Sequence, residues 1–445
     1  MLVTILAFLF ILAFSITIHE FGHFLVAKLF KIPVEKFSIG YGPPLIRKKI
    51  GETDFRIAYF PLGGYVKISG EDEGEIMQKT TDKEVEKHGD HADKKDTEIP
   101  EKDAGGFYDA PIYKRVLIVL SGPLFNIISA FFVFILVVGI YGLLVNPYMK
   151  IEVEPGTEAE RAGFLTNDSI VTVLGTTVSN WDEAFELLID WEGQEVRIGV
   201  VRNGLFIEKE IMVDIDSLGI VPLVPPILGT LKLDGPAQKA GLKPGNRILR
   251  IDDKEIKTWN GMIEIIRESR DIPLHFVWQD GREVKEANIT PATYYDPVSE
   301  DTIGQIGAVM PLERRHLSFP SVVSFSVQRS GEVLWLTVRT LYQLIIGRIS
   351  RRAIGGPIAI AQLSGESARW GFENLLGLLA IISINLGLIN LFPIPALDGG
   401  HVVISLVEAA RRKRFSRRTR MIIQQVGYAI ILLLIVFVTF NDITR

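Results

Sequence analysis

The chain has 445 residues, enough for two or three domains; 47% are apolar, 23% are charged, and the formal net charge is −5. Nothing in that balance resembles a nucleic-acid-binding surface, and the absence of cysteine excludes disulfides, thiolate metal sites and a cysteine nucleophile. Apolar residues are gathered into blocks with the charge between them, which predicts a polytopic α-helical membrane protein.

The first block, Leu2 to about Val26, is long enough to cross a bilayer. It lacks a basic start and a small-residue cleavage site, so residues 1–30 read as a retained transmembrane helix rather than a signal peptide. Residues 31–115 follow as a cytoplasmic region. Within it, Phe55 to Ser69 alternate in a strand-like way around Gly63-Gly64, which predicts a membrane-associated β-hairpin. From Glu71 to Lys102 the chain is charged and nearly free of large apolar residues, which predicts a mobile linker. His88 and His91 have ligand-like spacing there, but without apolar packing around them they read as solvated. A second span covers 116–145.

An internal repeat comes next. Ala159, Ala162, Gly163 and Ile170 recur as Ala237, Ala240, Gly241 and Ile248, each displaced by 78 positions. The turn Asn203-Gly204 is matched by Asp280-Gly281, a hairpin signal between alternating runs. Two β-rich units, 146–221 and 222–312, are expected. In the connector 313–371, Val322 to Ile349 mixes apolar residues with Arg329, Glu332, Arg339 and Arg348. Either an amphipathic helix on the outer membrane surface or a buried connector helix explains that mixture.

A third span (372–400), a basic loop (401–420) and a fourth span (421–445) complete the chain. The loop holds Arg411, Arg412, Lys413, Arg414, Arg417, Arg418 and Arg420, which places it in the cytoplasm. With four transmembrane helices, both termini and the repeats then lie outside, and 31–115 lies inside with Arg47, Lys48, Lys49, Lys114 and Arg115.

The chemistry begins in the first span. His19-Glu20-Phe21-Gly22-His23 has the H-E-x-x-H spacing. Residues four apart share a helix face, so both imidazoles can reach one Zn2+ ion. Glu20 can take the proton of a metal-bound water, so no side-chain nucleophile is needed. At about 1.5 Å per residue, His19 lies roughly 25 Å along a hydrocarbon core about 30 Å thick. Ionisable groups at that depth are costly and usually mark function.

A hydrolytic zinc takes three protein ligands and leaves a position for water. Asp398, in Asn390-Leu391-Phe392-Pro393-Ile394-Pro395-Ala396-Leu397-Asp398-Gly399, is the candidate third ligand, because the third span ends on the same membrane side as the first. Pro393 and Pro395 prevent a regular helix there and suggest an irregular wall to the site. Asn390 either offers its amide to substrate or the oxyanion, or serves as a structural cap.

"HEFGH" and "NLFPIPALDG" resemble the two signature motifs of the site-2 protease family of intramembrane metalloproteases. "GGYVKISGE", "SGPLFN" and the tandem repeats, whose wording is similar to bacterial PDZ domains, further resemble the RseP-like branch. The likeness covers essentially the whole chain. It implies zinc on His19, His23 and Asp398, Glu20 as general base, and Asn390 as a substrate-holding residue. It also implies that the strand Tyr65, Val66, Lys67, Ile68 and Ser69 pairs with an unwound substrate segment. The implied substrates are single-span membrane proteins such as an anti-sigma factor of the envelope-stress response, and signal-peptide remnants, in a bacterial inner membrane. The two tandem PDZ-like domains would receive peptides at Ser217-Leu218-Gly219-Ile220 and Gln305-Ile306-Gly307-Ala308, or those glycines are plain turns. A PDZ-based membrane scaffold without proteolysis is the competing reading.

Overall fold

The computed structural model describes residues 1–70, 106–214, 218–296, 301–348 and 355–444. The charged linker with His88 and His91, and Ser217, lie outside the described residues. The chain forms two units, Met1–Ile140 with Ser318–Arg445, and Tyr141–Leu317.

In the first unit α1 (Leu2–Leu29) is apolar around its whole circumference, as a helix surrounded by apolar material must be. It stops where Lys31 turns left-handed (φ 60°) ahead of Pro33. Two long strands follow, β1 (Val34–Ile50) and β2 (Thr53–Ile68), joined at Gly51-Glu52. Their outer part is a regular ladder with Ile50 opposite Thr53 and Lys48 opposite Phe55. Nearer α1 the ribbon folds on itself: Phe37 pairs with both Phe55 and Val66, and Ile39 with both Ile57 and Gly64. The expected hairpin turn at Gly63-Gly64 is therefore a bend within β2. Gly63 (φ 122°) is needed there because the Tyr41 ring lies 2.1 Å from where a Cβ would stand.

The next helix, α2 (Ile112–Tyr141), contains Pro123. It ends at Gly142 (φ 77°), short of the expected 145. Leu143–Val145 instead pairs as a strand with Glu313–Arg315. After the second unit come α3 (Phe319–Ile345), α4 (Pro357–Trp370), α5 (Phe372–Asn390), α6 (Asp398–Arg411) and α7 (Arg417–Thr444). Among the described residues α1, α2, α5 and α7 are long and apolar enough to cross a membrane.

The connector α3 packs on other helices through Val333, which joins Ala130, Phe134, Ala380 and Ile384 in one cluster. The Thr337 hydroxyl donates to Asn385 of α5 at 2.7 Å. Its buried face holds small Ser326 and Ser330, while Trp335, Leu336 and Tyr342 are exposed. Neither α4 nor α6 was foreseen. The Asp442 carboxylate of α7 accepts from the amides of Gly356, Ile358 and Ala359 at 2.8–3.1 Å, satisfying the orphan donors that begin α4. Part of the expected basic loop is helical in α6, because Glu408 is drawn into a buried 2.9 Å ion pair with Arg115 of α2.

The second unit contains two four-stranded sheets of identical order. The first runs Thr176–Thr177, Ser169–Val173, Glu195–Arg202, Leu205–Met212; the second runs Lys254–Glu255, Arg247–Ile251, Leu274–Asp280, Glu283–Ile289. The displacement of 78 extends to the cores, where Leu188, Ile198 and Val200 are replaced by Ile266, Phe276 and Trp278. It also covers left-handed backbone positions: Asn167 and Gly245, Leu174 and Asp252. The first hairpin turn falls where expected, and the second differs from expectation by one residue. Asn203-Gly204, both at positive φ, is a type I′ turn, but Asp280 remains in its strand opposite Glu283. The second turn is therefore Gly281-Arg282, in which only Gly281 (φ 63°) is left-handed, as type II′ requires. The second repeat also inserts a hairpin, Ala292–Asp296 with Asp301–Gln305, so that Gly307 (φ 74°) rather than residue 297 matches Gly219 (φ 68°).

Candidate metal centre

The centre is built where α1 crosses α2. Two glycines allow that crossing. A Cβ on Gly22 would stand 2.5 Å from the Ser121 carbonyl oxygen, so α1 touches the backbone of α2 directly. A Cβ on Gly122 would stand 2.4 Å from His23 Nε2 and 2.8 Å from His19 Nε2, inside the space both imidazoles face.

The third side chain arrives from α6. After Asn390 the chain makes a tight turn over Leu391–Leu397, where Pro393 and Pro395 forbid continued helix and Ala396 is held left-handed (φ 87°). Gly399 has no room for a side chain, since its Cβ would lie 2.1 Å from the Leu391 carbonyl oxygen. The turn is thereby clamped under the start of α6, and Asp398 projects from the first helical position.

The donor atoms converge. His19 Nε2 lies 3.2 Å from His23 Nε2 and 3.0 Å from Asp398 Oδ2, and His23 Nε2 lies 3.5 Å from Asp398 Oδ1. Ligands about 2.0–2.2 Å from a tetrahedral zinc are separated by roughly 3.3 Å, so this spacing fits the ion. Asp398 Oδ2 is buried and accepts no hydrogen bond, as an oxygen reserved for a cation would be. His23 Nδ1 lies 2.8 Å from the Ile118 carbonyl of α2; donation there leaves Nε2 with its lone pair toward the other donors. Among the described residues this is the one group of three such side chains spaced to hold a metal.

Glu20, on the same helix turn, accepts a hydrogen bond from the Val66 amide of β2. A Cβ on Gly64 would lie 3.2 Å from Glu20 Cγ, so β2 passes directly beside the carboxylate. Of the expected strand, Tyr65, Val66 and Lys67 run past this position. Ile68 and Ser69 instead belong to the fold: Ile68 is in an apolar cluster with Val34 and Phe107, and the Ser69 amide and carbonyl are bonded to Pro33 and Phe107. Asn390 Nδ2 is 3.5 Å from His19 Nδ1. Pro393 is exposed, whereas the Pro395 carbonyl is pressed by α7 at Gly427. Leu218-Gly219 and Ile306-Gly307 are engaged by their own repeats, their carbonyls accepting from Ala159, Glu154, Ala237 and Lys232.

Sequence reasoning passed over Gly22, Gly122, Ile118 and Asn126. The signal available was "SGPLFN", a polar and proline-containing break inside an apolar block.

The sequence pattern of peptidase family M50 matches residues 7–434. The chain belongs to peptidase family M50. It is 33% identical to a protein of Neisseria meningitidis serogroup A that bears the name zinc metalloprotease, over 99% of each chain. To the regulator of sigma-E protease RseP of Escherichia coli K12 it is 30% identical, over 99% of this chain and 98% of that one. Among solved structures, the PDZ domain of an SdrC-like protein from Listeria innocua is 24% identical with a TM-score of 0.17, covering 20% of this chain and 99% of that domain. This M50 peptidase is a zinc-dependent metalloprotease and a membrane protein. That membership removes the scaffold without proteolysis from consideration.

Proposed function

We propose that this M50 peptidase is a site-2-type intramembrane endoprotease that cuts the transmembrane segments of single-span membrane proteins. The observation that carries the proposal is the convergence of His19 and His23 of the apolar α1 with Asp398 at the start of α6, with Glu20 beside them and β2 alongside. His19, His23 and Asp398 would hold zinc. When bound, zinc supplies positive charge that acidifies water and polarises the scissile carbonyl.

The other steps belong to the chain itself. A transmembrane helix hides its carbonyls in hydrogen bonds, so the scissile segment must be drawn out before water can reach it. The edge of β2 from Gly64 to Lys67 offers backbone partners to such an extended segment. Glu20 takes the proton of the attacking water and returns it to the leaving amine. Asn390, near the mouth of the site, offers its amide to the substrate backbone, and Pro393 lines the approach.

By analogy with its relatives' names, the physiological role is proteolytic regulation of a sigma-factor response in a bacterial inner membrane, on an anti-sigma-type substrate or signal-peptide remnants. The four long apolar helices would be four spans, with both termini and the repeats periplasmic and the centre near the cytoplasmic side. The repeats, with two sheets of one order and a short and a longer helix each (Glu158–Arg161 and Trp181–Ile189; Pro236–Lys239 and Trp259–Glu268), would be tandem PDZ-like domains that exclude substrates with bulky external portions.

The test uses purified full-length protein and a single-span model substrate. Glu20→Gln should keep zinc and lose cleavage by at least about a hundredfold. Asp398→Asn should lose both. Cleavage that persists at the wild-type rate in Glu20→Gln overturns the mechanism.

A further inference from the structure

His19 presents an unsolved proton-placement problem. For Nε2 to bind zinc it must carry a lone pair, so the ring proton must sit on Nδ1 and needs an acceptor. His23 meets the same requirement with the Ile118 carbonyl. Among the described residues no backbone carbonyl is bonded to His19 Nδ1. Instead two side-chain amides point at it: Asn126 of α2 at 3.3 Å and Asn390 of α5 at 3.5 Å. The two differ in setting. Asn126 is fully buried, whereas Asn390 is half-buried at the end of its helix. Asn126 is held in place by α5, which can close over it because Gly387 has no side chain; a Cβ there would meet the Pro123 carbonyl at 2.7 Å and Asn126 Cβ at 3.3 Å.

The Asn126 Oδ1 atom is buried without a hydrogen-bond partner. A half-turn of the amide exchanges oxygen and nitrogen, which have the same shape. With the oxygen toward His19, an orphaned acceptor and an orphaned ring proton satisfy each other.

We propose that Asn126 is the positioning residue of His19: its amide oxygen accepts the Nδ1 proton, fixes the ring's tautomer and orientation, and leaves Nε2 free for zinc. This rests on reading His19 as a zinc ligand. It also divides the labour of the two asparagines, since Asn390 is then released to face substrate.

The test measures Zn2+ affinity of the full-length protein by chelator competition in wild type, His19→Ala, Asn126→Asp and Asn126→Leu. Asn126→Leu keeps the bulk but has no acceptor, and it should weaken zinc by about 10–100-fold. Asn126→Asp restores an acceptor and should bind within about threefold of wild type. In addition, 15N spectra of histidine-labelled, metal-free wild type should show His19, identified by the signal missing in His19→Ala, protonated on Nδ1. Zinc binding by Asn126→Leu equal to wild type, equal weakening by the two Asn126 variants, or a wild-type His19 protonated on Nε2 each overturns the inference. The wild-type spectrum decides alone if Asn126→Leu does not fold. If His19→Ala itself binds zinc normally, the failure lies in the ligand reading beneath it.

Discussion

Polar groups are used differently in the helical unit and in the repeat unit. In the first repeat, buried Asp168 is forked by Arg202 at 2.7 Å and accepts from the Leu165 amide at 2.9 Å. In the second repeat, 78 positions on, Asn246 takes the place of Asp168 and Asp280 that of Arg202. The amide donates to the carboxylate at 3.0 Å, and the Lys243 amide, equivalent to Leu165, still bonds Asn246 at 2.9 Å. One backbone is thus closed by two chemistries of reversed polarity. The candidate metal centre would have no such freedom on the proposed reading, because a nitrogen that binds zinc through its lone pair fixes which atom of its partner it can face. Structural polar positions need only be satisfied, but metal-facing ones must be satisfied in one way.

The largest expected effect tests the rigid side of that contrast. Gly122→Ala adds one methyl group, yet it should reduce zinc content by more than about tenfold, because the methyl occupies the space between the two Nε2 atoms where the ligands must meet. Metal analysis of the purified variant reads this, and full zinc occupancy would break the contrast.

On the tolerant side, Asp168→Ala should cost the first repeat about 3 kcal/mol, the low end for breaking a buried pair, since Arg202 keeps some solvent. Hydrogen exchange of strands 169–173 and 195–202 in the full-length protein measures this, with zinc content expected to stay constant. A smaller, more discriminating effect comes from transplanting the second repeat's chemistry. Arg202→Asp alone sets two carboxylates together, and adding Asp168→Asn should recover about 1 kcal/mol or more. If the double variant is no more stable than Arg202→Asp alone, the positions are not interchangeable.

The smallest effect is acidic. Burial alone would push the Asp168 carboxyl up, but hydrogen bonds from Arg202 and the Leu165 amide hold it below the usual carboxylate value. A depressed native pKa stabilises above the unfolded value of about 3.9 and fades as pH falls through the native one. Protection of the first repeat should therefore decline below about pH 4, and the decline should be shallower in the double variant.

Much of this was legible in the sequence. The helical spacing of His19 and His23, a carboxylate at a matching depth and a repeat of constant displacement are all local or periodic signals. What escaped depends on contacts across the fold. The bend at Gly63 exists because Tyr41 lies over it, and the alternation around it reads equally well as a turn. Glu408 is helical because Arg115, far away in sequence, is buried with it. Asn126 sits in an apolar block, where one amide resembles an ordinary interruption until His19 is seen beside it. The second repeat's turn is Gly281-Arg282, 78 positions after Asn203-Gly204, because Asp280, like Arg202, stays paired in its strand; the Asp-Gly pair next to it reads as a turn in sequence.

The clamped turn that delivers Asp398 also bears on biosynthesis. A ribosome makes His19 and His23 hundreds of residues before Asp398, so a nascent chain in the membrane would hold only part of the proposed ligand set. On the proposed reading it would gain hydrolytic competence only with α6 held against α2 by Glu408 and Arg115. Until then its neighbours, and its own later segments, would face an incomplete enzyme.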